Sequence, residues 1–426
     1  MSRPLVFCLG VLVGAAGGAL GAWLLPGDRE ELSRYRTVRE FAEQRYVRAP
    51  DRAKLADDAL RGMLSGLDRY SRFYDADETA AMERETGGRY RGIGVVLKRP
   101  IADGRVLFPL RGSPAEKHGL RVGDRIVELD GRAFGGFEEA DVREALSRDT
   151  DEPVHMAVIG LDGARRELVV PRESVVEPTL CGERMLDAER GIGYIALHAF
   201  SRETAAEFDA AFERLERSGM RALVLDLRGN GGGTLGSAIT IARRFIPEGL
   251  IVSTENRREI QPYLAVPEEA LHAGLPLVVL VDGESASASE VLAGALQDHR
   301  AAVVVGAPTW GKGTVQTVIT FPTWHASAKV TTSFYFTPAH RNLEHGEDAP
   351  FGIAPDVLVE LAPEEALQVH AFLDRQPPPV EALAALRAWE EREDVRVIDE
   401  PPDDRQLACA VDLLRGKRPD ARAGRP

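Results

Sequence analysis

Cysteine is scarce in this chain, three in 426 residues, which excludes a scaffold built on disulfides. Cys8 lies in an apolar run. Cys181 and Cys409 either pair or stay free, and buried free thiols are the expectation. The nine histidines show no H-E-x-x-H or comparable spacing, so neither a metal nor any other cofactor is expected. Positive charge is in deficit: the formal net charge is −14 and the pI near 5.3, which argues against a nucleic-acid partner. Aromatic residues are 6% of the chain; they are scattered and read as core. No internal repeat appears, so a solenoid is excluded. What is present in ordinary measure is hydrophobicity, 44%, enough to build a core in each of two or three domains.

Charge is also missing from residues 5–25, 21 positions in a row. That is long enough to span a bilayer. Arg3 and the amino terminus precede the run, which favours an N-in orientation. The reading is a membrane anchor, with secretion after cleavage at the small-x-small site Ala19-Leu20-Gly21 as the alternative. Gly10, Gly14 and Gly18 repeat every fourth residue, a close-packing face that allows a homo-oligomer.

The most informative stretch is Ser285-Ala286-Ser287-Ala288-Ser289-Glu290, followed by Gly311-Lys312-Gly313-Thr314-Val315-Gln316. The apolar run 275–281 reads as a buried strand leading into the serines. Val291, Leu292, Ala295 and Leu296 place Ala288–Asp298 on a helix with one apolar face. A serine hydroxyl at such a strand-to-helix turn is exposed beside a positive helix end. Lys312 follows Ser287 by 25 residues (312 − 287), and a neutral lysine can take a serine proton. An unperturbed lysine titrates near about 10.4, so a value of about 7 demands roughly 5 kcal/mol of destabilisation of its charged form. Burial without a paired carboxylate supplies this, and the neighbours Trp310, Val315 and Val318 are uncharged.

Structural readings compete. Ser287 with Glu290 also spells a capping box. Gly311 to Gly313 also fits an exposed turn. Gly306, Gly311 and Lys312 imitate a phosphate loop, but Gly313 stands where a Ser or Thr must hold magnesium. Residues 223–233, a buried strand running into Arg228-Gly229-Asn230-Gly231-Gly232-Gly233, make an oxyanion-hole candidate or simply a tight strand–helix turn.

The order of these blocks resembles the C-terminal processing peptidases, or tail-specific proteases. Residues 55–74 resemble the family's N-terminal helical segment. Gly92-Ile93-Gly94-Val95, Gly112-Ser113-Pro114-Ala115 and residues 119–131 resemble its PDZ domain. Residues 226–233 with the serine and lysine blocks resemble its protease core, and residues 351–357 its closing strand. The resemblance implies Ser287 as nucleophile, Lys312 as general base, Gln316 as the residue orienting the lysine, and an oxyanion hole from the N–H groups of Ala288 and Gly232. Three departures stand out. Gly231 replaces a common proline and Asp282 a common asparagine. A charged segment, 361–404, separates the closing strand from the last helix.

The expected fold is α/β multidomain. It comprises a membrane segment at 1–27, a helical segment at 28–84 and a PDZ-like peptide-binding domain at 85–175. An α/β serine protease core with a Ser-Lys dyad follows at 176–362, then a C-terminal linker with helices at 363–426. In the PDZ unit, Gly92, Ile93, Gly94 and Val95 are expected to bind a peptide's terminal carboxylate, with Ile93 and Val95 offering apolar contacts. The expected activity is a PDZ-gated serine endopeptidase. It acts near the free C-termini of extracytoplasmic protein or peptide substrates, anchored in the inner membrane with its catalytic part in the periplasm. The alternative is an inactive PDZ scaffold.

Overall fold

The computed structural model describes residues 26–98, 101–344, 352–374, 378, 380–393, 396 and 401–417. The expected membrane segment at 5–25, with its glycine face, and Phe351 of the expected closing strand lie outside the described residues. Among the described residues no helix is long and apolar enough to cross a membrane. The chain divides into two units, residues 1–75 with 318–330, and residues 76–317 with 331–426.

In the first unit, helices Pro26–Arg45 and Arg52–Ser65 precede strand Arg72–Tyr74. Asp51 caps the second helix by accepting from Ala53 N and Lys54 N. The expected helical segment at 28–84 is corrected in one respect: it also contains a strand. Asp68 accepts from the N–H groups of Tyr70 and Ser71, a turn that stops the helical run. Phe73 then pairs with Ala328 and is buried with Leu64, Ala326 and Ala328.

In the second unit, residues 125–170 form a four-stranded antiparallel sheet, and two short ribbons flank it. One ribbon joins Arg89–Gly92 to Glu173–Val176. The other joins Val95–Leu97 to Val106–Pro109. Helix Glu139–Ser147 buries Val142, Ala145 and Leu146 against Ile93, Ile126, Leu129, Val154 and Val158. Asp124, just before this sheet, is buried and ion-paired to Arg166.

A six-stranded sheet follows, in the order Leu180–Asp187, Ile192–Leu197, Ala222–Asp226, Leu277–Val281, Val303–Gly306, Val357–Leu358. The first pair is antiparallel and the rest are parallel. Both faces are covered, so its strands read as unbroken apolar runs. Leu223 and Leu225 face helices Thr204–Arg217, Leu235–Arg243 and Ala288–Asp298. Val224, Val278 and Leu280 face the other side, against Val369, Leu373 and Ala410. Those three residues belong to helices Pro363–Leu373 and Arg405–Leu414. The C-terminal segment is therefore part of the core's second layer. Between these two helices, Val380–Glu393 visits the smaller sheet region, where Ala382 packs with Phe108, Leu110 and Val175. The Arg105 guanidinium stands 4.3 Å over the Trp389 ring. Cys181 and Cys409 are free thiols in the second layer, and burial pushes Cys181 up to about 12.

Candidate active site

Loops leave the carboxyl ends of adjacent parallel strands, the usual place for a site in such a sheet. Strand Leu277–Val281 is followed by Asp282, and five residues on from Asp282 Ser287 opens helix Ala288–Asp298 with φ 57° and ψ −112°. A positive φ in a serine costs on the order of 1–3 kcal/mol and holds only where the surroundings impose it. Gly232 is one of those surroundings: a Cβ on it would come within 2.8 Å of the Ser287 Cβ and 3.0 Å of Ala288 N.

The three neighbouring serines, alike in sequence, differ in structure. The Ser285 hydroxyl donates to Leu227 O at 2.8 Å, and the Ser289 hydroxyl donates to Asn230 O at 2.8 Å. Both side chains are wholly buried and pin the Ser287 loop to the glycine turn. Ser287 retains 6% exposure.

Glu290 holds the arrangement together, which the capping-box reading did not reach. Its carboxylate is completely buried. One oxygen accepts from Thr309 Oγ1 at 2.6 Å and Gly311 N at 2.7 Å. The other accepts from Ser287 N at 2.8 Å and Lys312 N at 2.9 Å. The main chains of Ser287 and Lys312 are thus fixed to a single oxygen atom. Burial raises the Glu290 pKa, against the lowering by its four donors. In Glu290→Gln one acceptor oxygen becomes an NH₂ that faces N–H groups. The expected result is a fall in kcat/KM of about 100-fold or more, with a lower Tm. Activity within twofold of wild type would show that the clamp does not position the site.

Asp282 organises the other side. One oxygen accepts from the N–H groups of Gly229, Glu284 and Ser285 at 3.0–3.1 Å. The other meets His370 Nε2 at 2.6 Å, which links helix Pro363–Leu373 to the Ser287 loop. Burial raises the Asp282 pKa, but the bond from His370 and the main-chain donors outweigh it and hold the group low. His370 is raised, mainly by Asp282, with burial opposing; Glu284 adds to the rise and Arg228 subtracts. A raised histidine stabilises the fold fully below its unfolded value of about 6.5, and that contribution fades as pH climbs through the folded value. The depressed aspartate contributes above about 3.9 and loses its contribution as pH falls through the folded value. His370→Ala should therefore lower Tm more at pH 5.5 than at pH 9. An equal loss at both values would show that the ion pair contributes nothing.

The glycine turn is braced from below. The Arg228 guanidinium, buried, bonds Asp226, Asp404 and Gln406, and Tyr194 Oη donates to Asp226 at 2.8 Å. Asn230 Nδ2 donates to Leu197 O at 2.9 Å. The Gly232 N–H donates to Asn230 Oδ1 at 2.9 Å, so in this conformation it is engaged within its own turn. A Cβ at Gly231 would meet nothing within 4 Å; no steric demand requires glycine where proline is common.

Lys312 is half-buried. Strand Thr314–Phe321 follows it, where a phosphate loop requires a helix N-terminus, so the nucleotide-loop reading fails. Gln316 lies on that strand and its Nε2 donates to Thr331 Oγ1 at 3.4 Å.

In the PDZ-like region Gly94 has φ +75°, and a Cβ there would collide with Ser113. Gly92 is buried and Val95 half-buried. The expected apolar contact from Ile93 is corrected: its side chain is wholly buried in the local core, because the loop turns it inward beneath helix Glu139–Ser147. Its N–H donates to Leu146 O at 3.2 Å. Strand Val95–Leu97 has one strand partner among the described residues, which leaves an edge where a peptide can add.

The chain is similar to known proteins. A family model described as peptidase family S41 matches residues 191–359, and one described as PDZ domain matches residues 109–159. The chain is 31% identical to a carboxy-terminal-processing protease of Bartonella bacilliformis, over 91% of this chain and 89% of that protein. It is 34% identical to a chloroplastic C-terminal processing peptidase of Tetradesmus obliquus, over 74% of this chain and 69% of that protein. The solved photosystem II D1 C-terminal processing protease is 30% identical, covers 83% of this chain and 95% of its own, and superposes with a TM-score of 0.46.

Proposed function

Since the chain belongs to the C-terminal processing peptidases of peptidase family S41, serine-type endopeptidases, we propose that Ser287 is its nucleophile and Lys312 its general base. The observation that carries the assignment is the separation of the three serines. Ser285 and Ser289 donate to backbone carbonyls, while Ser287 sits at the strained turn without such a commitment. In this reading the neutral Lys312 amine takes the Ser287 proton as Oγ attacks the peptide carbonyl. The Ala288 N–H, at the start of the nucleophile helix, faces the developing oxyanion. The Gly232 N–H joins it by letting go of Asn230. The lysine ammonium then protonates the leaving amine, and water releases the acyl group by the same steps reversed. Gln316 orients the lysine.

The PDZ unit would deliver C-terminal segments to this site. The Gly92-Ile93-Gly94 loop takes the terminal carboxylate, the Ile93 N–H joining only by letting go of Leu146 O, and the Val95–Leu97 edge takes the preceding residues as an added strand. Residues 5–25 support an inner-membrane anchor with the catalytic part outside, and Gly10, Gly14 and Gly18 support self-association there. An inactive PDZ scaffold would bind tails and cut nothing. The test is to present one unfolded polypeptide with a free or amidated C-terminus to the purified enzyme. Faster cleavage of the free form, mapped near its end, is expected. Equal rates would remove carboxylate capture, and binding without cleavage would favour the scaffold.

A further inference from the structure

Asp282 is the junction of the two loops that make the site. Its Oδ1 accepts from Glu284 N and Ser285 N in the Ser287 loop and from Gly229 N in the glycine turn. Its main-chain N–H donates to Ser285 Oγ at 3.0 Å. Oδ2 of Asp282 is left for His370 Nε2, 2.6 Å away. On the other side of the same ring, His370 Nδ1 stands 3.4 Å from Glu284 Oε2. One imidazole therefore bridges two carboxylates of one loop. Val369 and Leu373, on the histidine's own helix, are buried against the central sheet, so the ring is offered from a fixed support.

The bridge suits a ring with a proton on each nitrogen. A neutral ring that donates to Asp282 turns a lone pair toward Glu284. The bond to Asp282 is also the main cause of the raised His370 pKa; burial opposes it, Glu284 adds and Arg228 subtracts. The Arg228 charge is itself met by Asp226 and Asp404. On the histidine's own helix, Glu364 and Glu365 lie in the first turn, where Arg405 pairs with Glu365, and Asp374 follows the last residue.

We propose that His370 is a positioning residue for the peptidase reaction: its imidazolium, bridged between Asp282 and Glu284, holds the Ser287 loop and the glycine turn in register for attack. The proposal rests on Ser287 being the nucleophile. No proton passes between His370 and the substrate. As pH rises, Lys312 becomes a competent base by losing its proton, whereas the bridge weakens as His370 loses one. The two groups lose protons in the same direction with opposite effects on rate.

The experiment measures kcat and KM from pH 6 to 9, well below each variant's Tm, for wild type, His370→Gln, Asp282→Asn and the double variant. Glutamine can still donate to Asp282 but carries no charge. At pH 6, His370→Gln should lower kcat about 10-fold, with KM nearly unchanged. The ratio of wild type to variant should shrink toward pH 9. Lys312 titrates in both proteins, so its effect cancels in that ratio. In an Asp282→Asn background, His370→Gln should cost nothing further. A merely structural contact would move Tm and leave the ratio flat and near one. A flat ratio, or additive losses in the double variant, would overturn the proposal. Should His370→Gln not fold, Glu284→Gln alters a side chain that is 63% exposed and removes only the second arm of the bridge. The ratio of wild type to that variant should peak between the two histidine pKa values, and a ratio constant with pH would overturn the proposal. Failure of a fluorophosphonate to label wild type at Ser287 would instead remove the nucleophile, a different result.

Discussion

Ser287→Ala is expected to abolish proteolysis, by about 10⁴-fold or more, in a protein that remains folded. The substitution removes one oxygen. The Ser287 N–H, a main-chain group, still reaches Glu290, and the Ser285 and Ser289 hydroxyls still pin the loop to Leu227 O and Asn230 O. Peptide binding by the PDZ unit should be unchanged. The measurement is degradation of an unfolded protein by purified wild type and variant, with peptide affinity and Tm alongside. Turnover surviving in the variant would transfer the role to a neighbouring serine or expose a contaminant.

Lys312→Arg should be as severe. Arginine keeps its proton at any accessible pH and cannot accept one from serine. The defect would be chemical, because the loop is held through the Lys312 main-chain N–H to Glu290 and the Gly313 N–H to Glu344 Oε2, neither of which the substitution touches. Wild-type kcat/KM should rise with pH as the lysine loses its proton, measured on a substrate that does not itself titrate. A Lys312→Arg enzyme with near wild-type rates would return the lysine to an exposed turn.

The local pieces of this site were legible in the sequence and the long-range ones were not. The run ending at Val281 and the apolar face from Val291 to Leu296 fix a strand, a turn and a helix within twenty-odd residues, because alternation and helical period are local properties. Glu290 was legible as a capping residue for the same reason. Its second role depends on Thr309, Gly311 and Lys312, which only the fold brings near. Strand Arg72–Tyr74 was hidden because its pairing partner lies about Ala328, far along the chain. A Gly-Ile-Gly loop could be seen, but not the direction in which Ile93 points, since no periodicity runs through a turn. The last helix was readable, whereas the grip of Asp404 on Arg228, 176 residues earlier, was not.

The most direct test of the central claim is to locate the label. The purified wild-type chain is treated with a fluorophosphonate until activity is lost, digested, and the modified residue identified by mass spectrometry. A single modification on Ser287, absent from the Lys312→Arg variant, is the expected result. Modification of Ser285 or Ser289, or loss of activity with Ser287 unmodified, would contradict the assignment of the nucleophile and the dyad built on it.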